Sequence, residues 1–350
     1  MNGAVNVLKL VFAFTIVTVH CGTFFGYENF GWFQGAFIYV EWFYIFAGYT
    51  LARKVMRMER KLPLCETTAG LLKQRILALL PYYWLSCCIA LVLKMSTGLI
   101  EIDDPWKIHW VVFDLLMLNM TTLPAMPLTD VAWFLSSMWL ALILLTPLLL
   151  LFRHRFARFA ILITAMLYYY IYRRTGHLYG PVEWLPLSYK GNLRAVGAIC
   201  LGFTGYELGE WLRQRWKRTR RQEVVVLLIY AVILAYTFFW EESLTTNKIY
   251  FMLPFVFMVL IAVQMSGKGP QLLPDNRFTR FMGQFSMVLY MNHAYLIRVV
   301  SNSFPDMFIA RKVPLSVALS VAVALAVYFA GGFLAALPAW LRRQREVSAQ

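Results

Sequence analysis

A lysine and a histidine, Lys9 and His20, stand eleven residues apart inside an otherwise apolar stretch, VNVLKLVFAFTIVTVHCGTFF, from Val5 to Phe25. That stretch has the roughly 20 residues a helix needs to cross a bilayer. Eleven residues make about three helical turns, so both side chains fall on one face, roughly 16 Å apart along the axis. Ionisable groups on one stripe of a membrane helix face a cavity or a partner helix, because a charge in hydrocarbon is costly. Ionisable residues held inside a membrane mark a functional path by default. The plainer alternative has Lys9 reaching the headgroups and His20 bonded to a neighbouring helix.

Three further places carry comparable chemistry. EWFYIFAGYTLARK sets a carboxylate, Glu41, among apolar residues with no cation close by in sequence. It needs a partner on another helix or must be protonated, while Gly48 on the same stretch suits close helix packing. Arg75 ends a strongly basic stretch ahead of Pro81. Such residues set topology first, and beside a cavity they also suit an anionic cytoplasmic donor such as a nucleotide-bearing thioester. GQFSMVLYMNHAYLIR places Tyr290 and His293 three apart on one helical face, with Gly283 and Ser286 on the preceding turns. His20, Glu41 and His293 lack a metal-ligand spacing such as HExxH, so no metal site is expected. GxSxG, P-loop and GxGxxG motifs are absent, which removes several soluble-enzyme classes.

The elements that must position these residues are membrane helices. Hydrophobic residues make up 60% of the 350 and charged ones 15%, against about 25% charged in soluble domains; mean hydropathy is +0.59. The fold class expected is all-α, a polytopic transmembrane helical bundle. Apolar spans are expected near 5–25, 32–52, 75–95, 131–152, 156–172, 193–212, 223–240, 249–265, 280–300 and 314–337. A further piece, His109 to Met126, is broken by Asp114, Asn119 and two prolines. With this piece re-entrant or surface-lying, the basic loops fall on one side and carry 22 of the 33 Lys and Arg residues, against eight in the opposite loops. The positive-inside rule then puts both termini in the cytoplasm. The acidic loop residues Glu28, Glu101, Asp103, Asp104, Glu241 and Glu242 lie outside, and Trp32, Trp84, Trp106, Trp110, Trp240 and Trp340 form interfacial belts.

On this topology Lys9 lies in the cytoplasmic third, Glu41 near the midplane, and His20 and His293 in the outer half. The net charge of +15 is topogenic, and no nucleic-acid partner is expected. Cys21, Cys65, Cys87, Cys88 and Cys200 show neither metal-ligand nor disulfide spacing. The first apolar segment lacks the features of a cleaved signal and is expected to stay in the chain. Residues 1–341 read as one transmembrane domain and 342–350 as a basic cytoplasmic tail.

In order along the chain these stretches resemble the membrane-bound acyltransferase family 3. Lys9 and His20 are similar to its basic residue, ten residues and histidine. EWFYIFAGY resembles its acidic-x-Phe-Phe-x-x-Ser-Gly-Tyr segment, and KQRILALLPYYW its arginine-rich entry to the third span. WFLSSMWLALILLTP, from Trp133, resembles its Trp-Phe-Leu-Ser segment. NLRAVGAICLGFTGYELG resembles the later Arg-to-Gly stretch, and GQFSMVLYMNH the terminal Gly-x-x-Ser…Tyr-x-x-His. Lys9 replaces an arginine, Gln74 and Ala78 two more, Ala47 a serine, and Met138 a frequent glutamate.

The resemblance implies an integral-membrane O-acyltransferase of a bacterial cytoplasmic membrane. Its co-substrate is acyl-CoA, acetyl-CoA foremost, with no tightly bound cofactor. Its acceptor is a hydroxyl of a glycan or lipid-linked sugar at the outer side, amid membrane lipids. His20 is then the general base, oriented or polarised by Glu41; Lys9 and Arg75 hold the donor or an oxyanion; Tyr290, His293 and Trp133 meet substrate. A transporter or flippase with a polar permeation path is the alternative, as is a scaffold paralogue that has lost activity, to which Ala78 and Met138 point.

Overall fold

Why the helices fall where they do follows from their polar residues. The computed structural model describes residues 2–26, 30–59, 62–217, 219–239, 248–267 and 271–348, the last twelve as backbone only. Glu28, Trp240, Glu241 and Glu242 lie outside the described residues, as does the side chain of Trp340. The helices are α1 (Gly3–Phe25), α2 (Tyr39–Arg57), α3 (Leu64–Ser96), α4 (Lys107–Leu115) and α5 (Ala132–Thr175), then α6 (Lys190–Arg215), α7 (Arg220–Phe239), α8 (Lys248–Met265), α9 (Arg277–Ser303) and α10 (Ile309–Ser348). Among the described residues the only extended pairing is an isolated bridge between Trp184 and Tyr189.

Among the described residues six helices are long and apolar enough to cross a membrane: α1, α3, α5, α7, α8 and α10. The chain is a multi-pass membrane protein. Helices α2, α6 and α9 are less apolar because they carry Glu41, Arg194 and the His293–Arg298 turns. Each holds its polar side chain inside the bundle, where Glu41, Arg194 and His293 are buried. The outer helices present the reverse pattern: Leu77 and Val92 of α3, Leu228 and Val232 of α7, and Phe329 and Phe333 of α10 are exposed. Apolar side chains facing outward are what lipid requires.

Each of the ten expected apolar segments falls on a helix, with differences at the ends. The segment expected to start at 32 becomes helical only at Tyr39, after a left-handed Phe33 (φ 59°) and a 3-10 turn over Gln34–Ile38. Helix α3 begins eleven residues earlier than expected, behind Pro63, so much of the basic stretch is helical. Helix α10 continues through residues 342–348, across the expected start of the tail.

The fourth and fifth segments are two legs of α5, broken at Arg153 (φ 44°, ψ −121°). The legs run back along α6. Ser137 bonds Asn192 near the start of α6, His154 meets Glu207 further along it, and Thr164 returns to Gly197. Arg153 Nη2 donates to the carbonyls of Val55, Met56 and Met58 at 3.0–3.3 Å. It thereby caps the end of α2, where carbonyls lack helical partners. Helix α4 is nine residues long, far too short to cross; it exposes Ile108, Trp110 and Val112, and Trp106 just before it is exposed too, while Asp114 is buried. Tyr83 donates to the Asp114 carbonyl at 2.8 Å, which docks α4 on α3.

Two close crossings bring the polar helices together. A Cβ at Gly48 of α2 would stand 2.2 Å from the Ile199 carbonyl of α6, and one at Gly202 would stand 2.2 Å from that of Ile45. Only glycine lets the two backbones approach this closely. A Cβ at Gly283 of α9 would meet Asn6 of α1 at 2.4 Å. By contrast nothing lies within 4 Å of a Cβ at Gly70 on α3. Gly48→Val is therefore expected to destabilise the fold by about 1–3 kcal/mol through overpacking, and Gly70→Ala to be neutral or to stabilise by about 0.5–1 kcal/mol. Thermal unfolding of the two variants in detergent checks this contrast.

Candidate active site

His20 and His293 meet, although 273 residues separate them. His20 lies five residues before the end of α1, and its Nδ1 is 2.8 Å from the carbonyl of Ile16 one turn back. His293 on α9 has Nδ1 2.7 Å from the carbonyl of Tyr290. A carbonyl only accepts, so in neutral rings each Nδ1 carries the proton. Both Nε2 atoms then hold lone pairs. The Nε2 of His293 is 3.3 Å from Nδ1 of His20, so the His20 N–H is shared between Ile16 and His293. The rings stand edge to face with centroids 4.8 Å apart. Among the described residues Nε2 of His20 has no partner.

His20 lines a cavity of about 330 Å³ whose wall includes Trp133, Tyr179, Arg194 and Tyr290. Two of the expected substrate-binding residues, Trp133 and Tyr290, are thus beside His20. The third, His293, is buried behind it. A strap between α5 and α6 covers one side through Tyr179, Gly180 and Pro181. Lys190 anchors it, donating to the Tyr179 carbonyl at 2.8 Å and to His177 Nδ1 at 3.2 Å and pairing with Glu183. Burial and the Lys190 ammonium hold the His177 imidazole below its usual pKa.

Glu41 does not contact His20. Both its oxygens are taken by Arg194 of α6, Nε to Oε1 at 2.5 Å and Nη2 to Oε2 at 2.7 Å. The expected orienting contact is absent because a planar guanidinium fits a carboxylate in bidentate fashion and neutralises it where burial is complete. Arg194 also donates to the Phe37 carbonyl at 3.4 Å, with its guanidinium carbon 5.8 Å from the Trp133 ring centre. The rule that demanded a partner for Glu41 also singles out a lone arginine in an apolar run, so Arg194 was within reach of the sequence.

Lys9 and Arg75 belong to another region. Lys9 Nζ lies 4.2 Å from the ring centre of Phe46, with no carboxylate partner among the described residues. Arg75 makes long bonds, 3.4–3.5 Å, to the Ala47 carbonyl and the Thr50 hydroxyl. It lines a second cavity of about 380 Å³ with Lys54, Gln74, Met138 and Trp139. Val40 lines the first cavity and Lys54 the second; the helical step of fourteen residues from one to the other spans about 21 Å. Between the two, Phe134 stacks on Tyr44 at 4.6 Å and meets the edge of Tyr290 at 5.2 Å.

Two polar clusters near the site were not singled out from sequence. Asp130, in the left-handed region (φ 62°), pairs with Lys94 at 2.7 Å and Arg298 at 3.3 Å, tying α3 and α9 to the segment before α5. Asn192 bonds the Met120 carbonyl, Ser137 and Ser188. Charges and amides at segment ends look like loop residues in a sequence. Among the described residues no three His, Cys, Asp or Glu side chains converge as a metal would require.

The profile of the acyltransferase-domain family matches residues 2–341. No curated protein and no solved structure matches the chain.

Because Glu41 and Arg194 are both buried, removing one strands the other. Glu41→Ala is expected to cost about 3–5 kcal/mol of stability, and Glu41→Met combined with Arg194→Met to recover most of it. Unfolding of the single and double variants in detergent measures both.

Proposed function

The chain belongs to acyltransferase family 3, and from that premise we propose that it is an O-acyltransferase of a bacterial cytoplasmic membrane. The acyl group, acetyl foremost, comes from a cytoplasmic acyl-CoA, a co-substrate rather than a bound cofactor. It goes to a hydroxyl of a glycan or lipid-linked sugar at the opposite face. Membrane lipids surround the bundle, the basic loops and both termini face the cytoplasm, and nucleic acid plays no part.

One observation carries this reading: the carbonyls of Ile16 and Tyr290 fix the ring tautomers so that Nε2 of His20 is left as a free base in a cavity. There it takes the proton of the acceptor hydroxyl as the oxygen attacks the thioester carbonyl. His293 accepts from Nδ1 of His20, holds the ring in place and supports the charge it gains. Trp133 and Tyr290 offer aromatic faces to the acceptor. The Arg75 cavity suits the other end of the donor. Its guanidinium makes only long bonds and can turn to a phosphate, with Lys54 beside it and Lys9 of α1 adding positive charge over Phe46, next to Ala47. The pantetheine arm must pass Phe134, Tyr44 and Tyr290 to bring its thioester to His20.

Purified protein in nanodiscs, given acetyl-CoA and an extract of surface glycans, tests the reading with free CoA and ester both quantified. Ester formation by the wild type, reduced about 10²–10⁴-fold in an equally folded His20→Ala variant, is expected. Equal rates in both would place the base elsewhere. Loss of His293 by substitution with Gln is expected to lower the rate by a smaller factor.

A further inference from the structure

We propose that Arg194 is a catalytic residue of this reaction, donating from Nη1 to the thioester oxygen as it becomes an anion, with Glu41 as the residue that positions it. This rests on the acyl-transfer reading above. A guanidinium has five N–H bonds. Three are used: Nε–H on Glu41 Oε1, and the two of Nη2 on Glu41 Oε2 and the Phe37 carbonyl. The two of Nη1 have no acceptor among the described residues. Arg194 is nevertheless 1% exposed and lines the cavity that holds His20. Nη1 is therefore the guanidinium nitrogen left for a ligand oxygen in the cavity that Arg194 lines.

The other cations are poorer candidates. Lys9 lies over Phe46 and lines neither cavity, and Arg75 lines the cavity further along α2. Arg194 is also held from three sides, by the carboxylate fork, the Phe37 carbonyl and the Trp133 face. A donor fixed before the reaction pays no reorganisation when charge develops. Because Glu41 already balances its charge, the site does not demand an anionic ground state and favours a neutral carbonyl that turns anionic.

The step balances as follows. The acceptor oxygen forms a bond to the thioester carbon while its proton passes to Nε2 of His20. The carbonyl π pair moves onto oxygen, which Nη1 of Arg194 holds. Collapse re-forms C=O and breaks C–S, and the departing CoA thiolate takes the proton from the His20 imidazolium.

The test compares kcat and KM in nanodiscs for wild type, Arg194→Lys and the double variant Glu41→Gln/Arg194→Gln. The double variant puts an uncharged amide pair in place of the ions and keeps the test available if the single one does not fold. Each folded variant is expected to lose about 10²–10³ in kcat with KM for acyl-CoA nearly unchanged, as for an interaction made only in the transition state. Methylguanidinium is expected to restore part of the rate to Arg194→Ala and none to His20→Ala. A folded variant with kcat close to wild type, or one raised only in KM, overturns the assignment and leaves the acyl-transfer reading standing. A wild type that forms no ester with any acyl donor removes both.

Discussion

A buried bidentate pair, Glu41 with Arg194, is the constraint around which the bundle is built. Desolvating two charges costs several kcal/mol per ion, and only good geometry with further hydrogen bonds recovers it. The geometry is supplied by the parallel run of α2 and α6. Their backbones touch at Gly48 and Gly202, two turns beyond the pair, and hold the two helices at the separation the fork requires. The third bond of Arg194, to Phe37, fixes the 3-10 turn that leads into α2 and lines the cavity. Stability and site geometry are therefore set by the same atoms.

The second pairing, α1 with α9, does for His20 what α2 and α6 do for Arg194. Asn6 and Gly283 bring the helices together at one end and the two imidazoles meet toward the other. Each ring is tied to a carbonyl of its own helix, so the free nitrogen is selected by local backbone geometry and needs no carboxylate. That is why Glu41 can be committed elsewhere. The first leg of α5 then serves both cavities, with Trp133 on one and Met138 and Trp139 on the other, and Phe134 between them.

Much of this was readable from residue types. Lys9 and His20 stood out because charges in apolar helices are costly, and the need of Glu41 for a distant cation followed from the same rule. Loop charge led to the expectation that the 109–126 segment does not cross, and the helix that enters it, α4, ends at Leu115 after nine residues. What periodicity does not carry is which helices touch. The partner of Glu41, the meeting of His20 with His293 and the split of the basic residues away from His20 depend on tertiary packing. The late start of α2 depends on a left-handed Phe33, a residue type that rarely takes that conformation. Lys94 and Asp130 look like ordinary loop charges until α3 and α9 bury them together.

The central claim is that one bundle joins a donor from the basic face to an acceptor on the other. Proteoliposomes sorted for a single orientation test it most directly, with acyl-CoA supplied to one side only and acceptor to one side only. The account predicts ester when acyl-CoA meets the face bearing the 153–158 and 213–221 loops and the acceptor meets the opposite face. Ester formed only when both are supplied on the same side would contradict it.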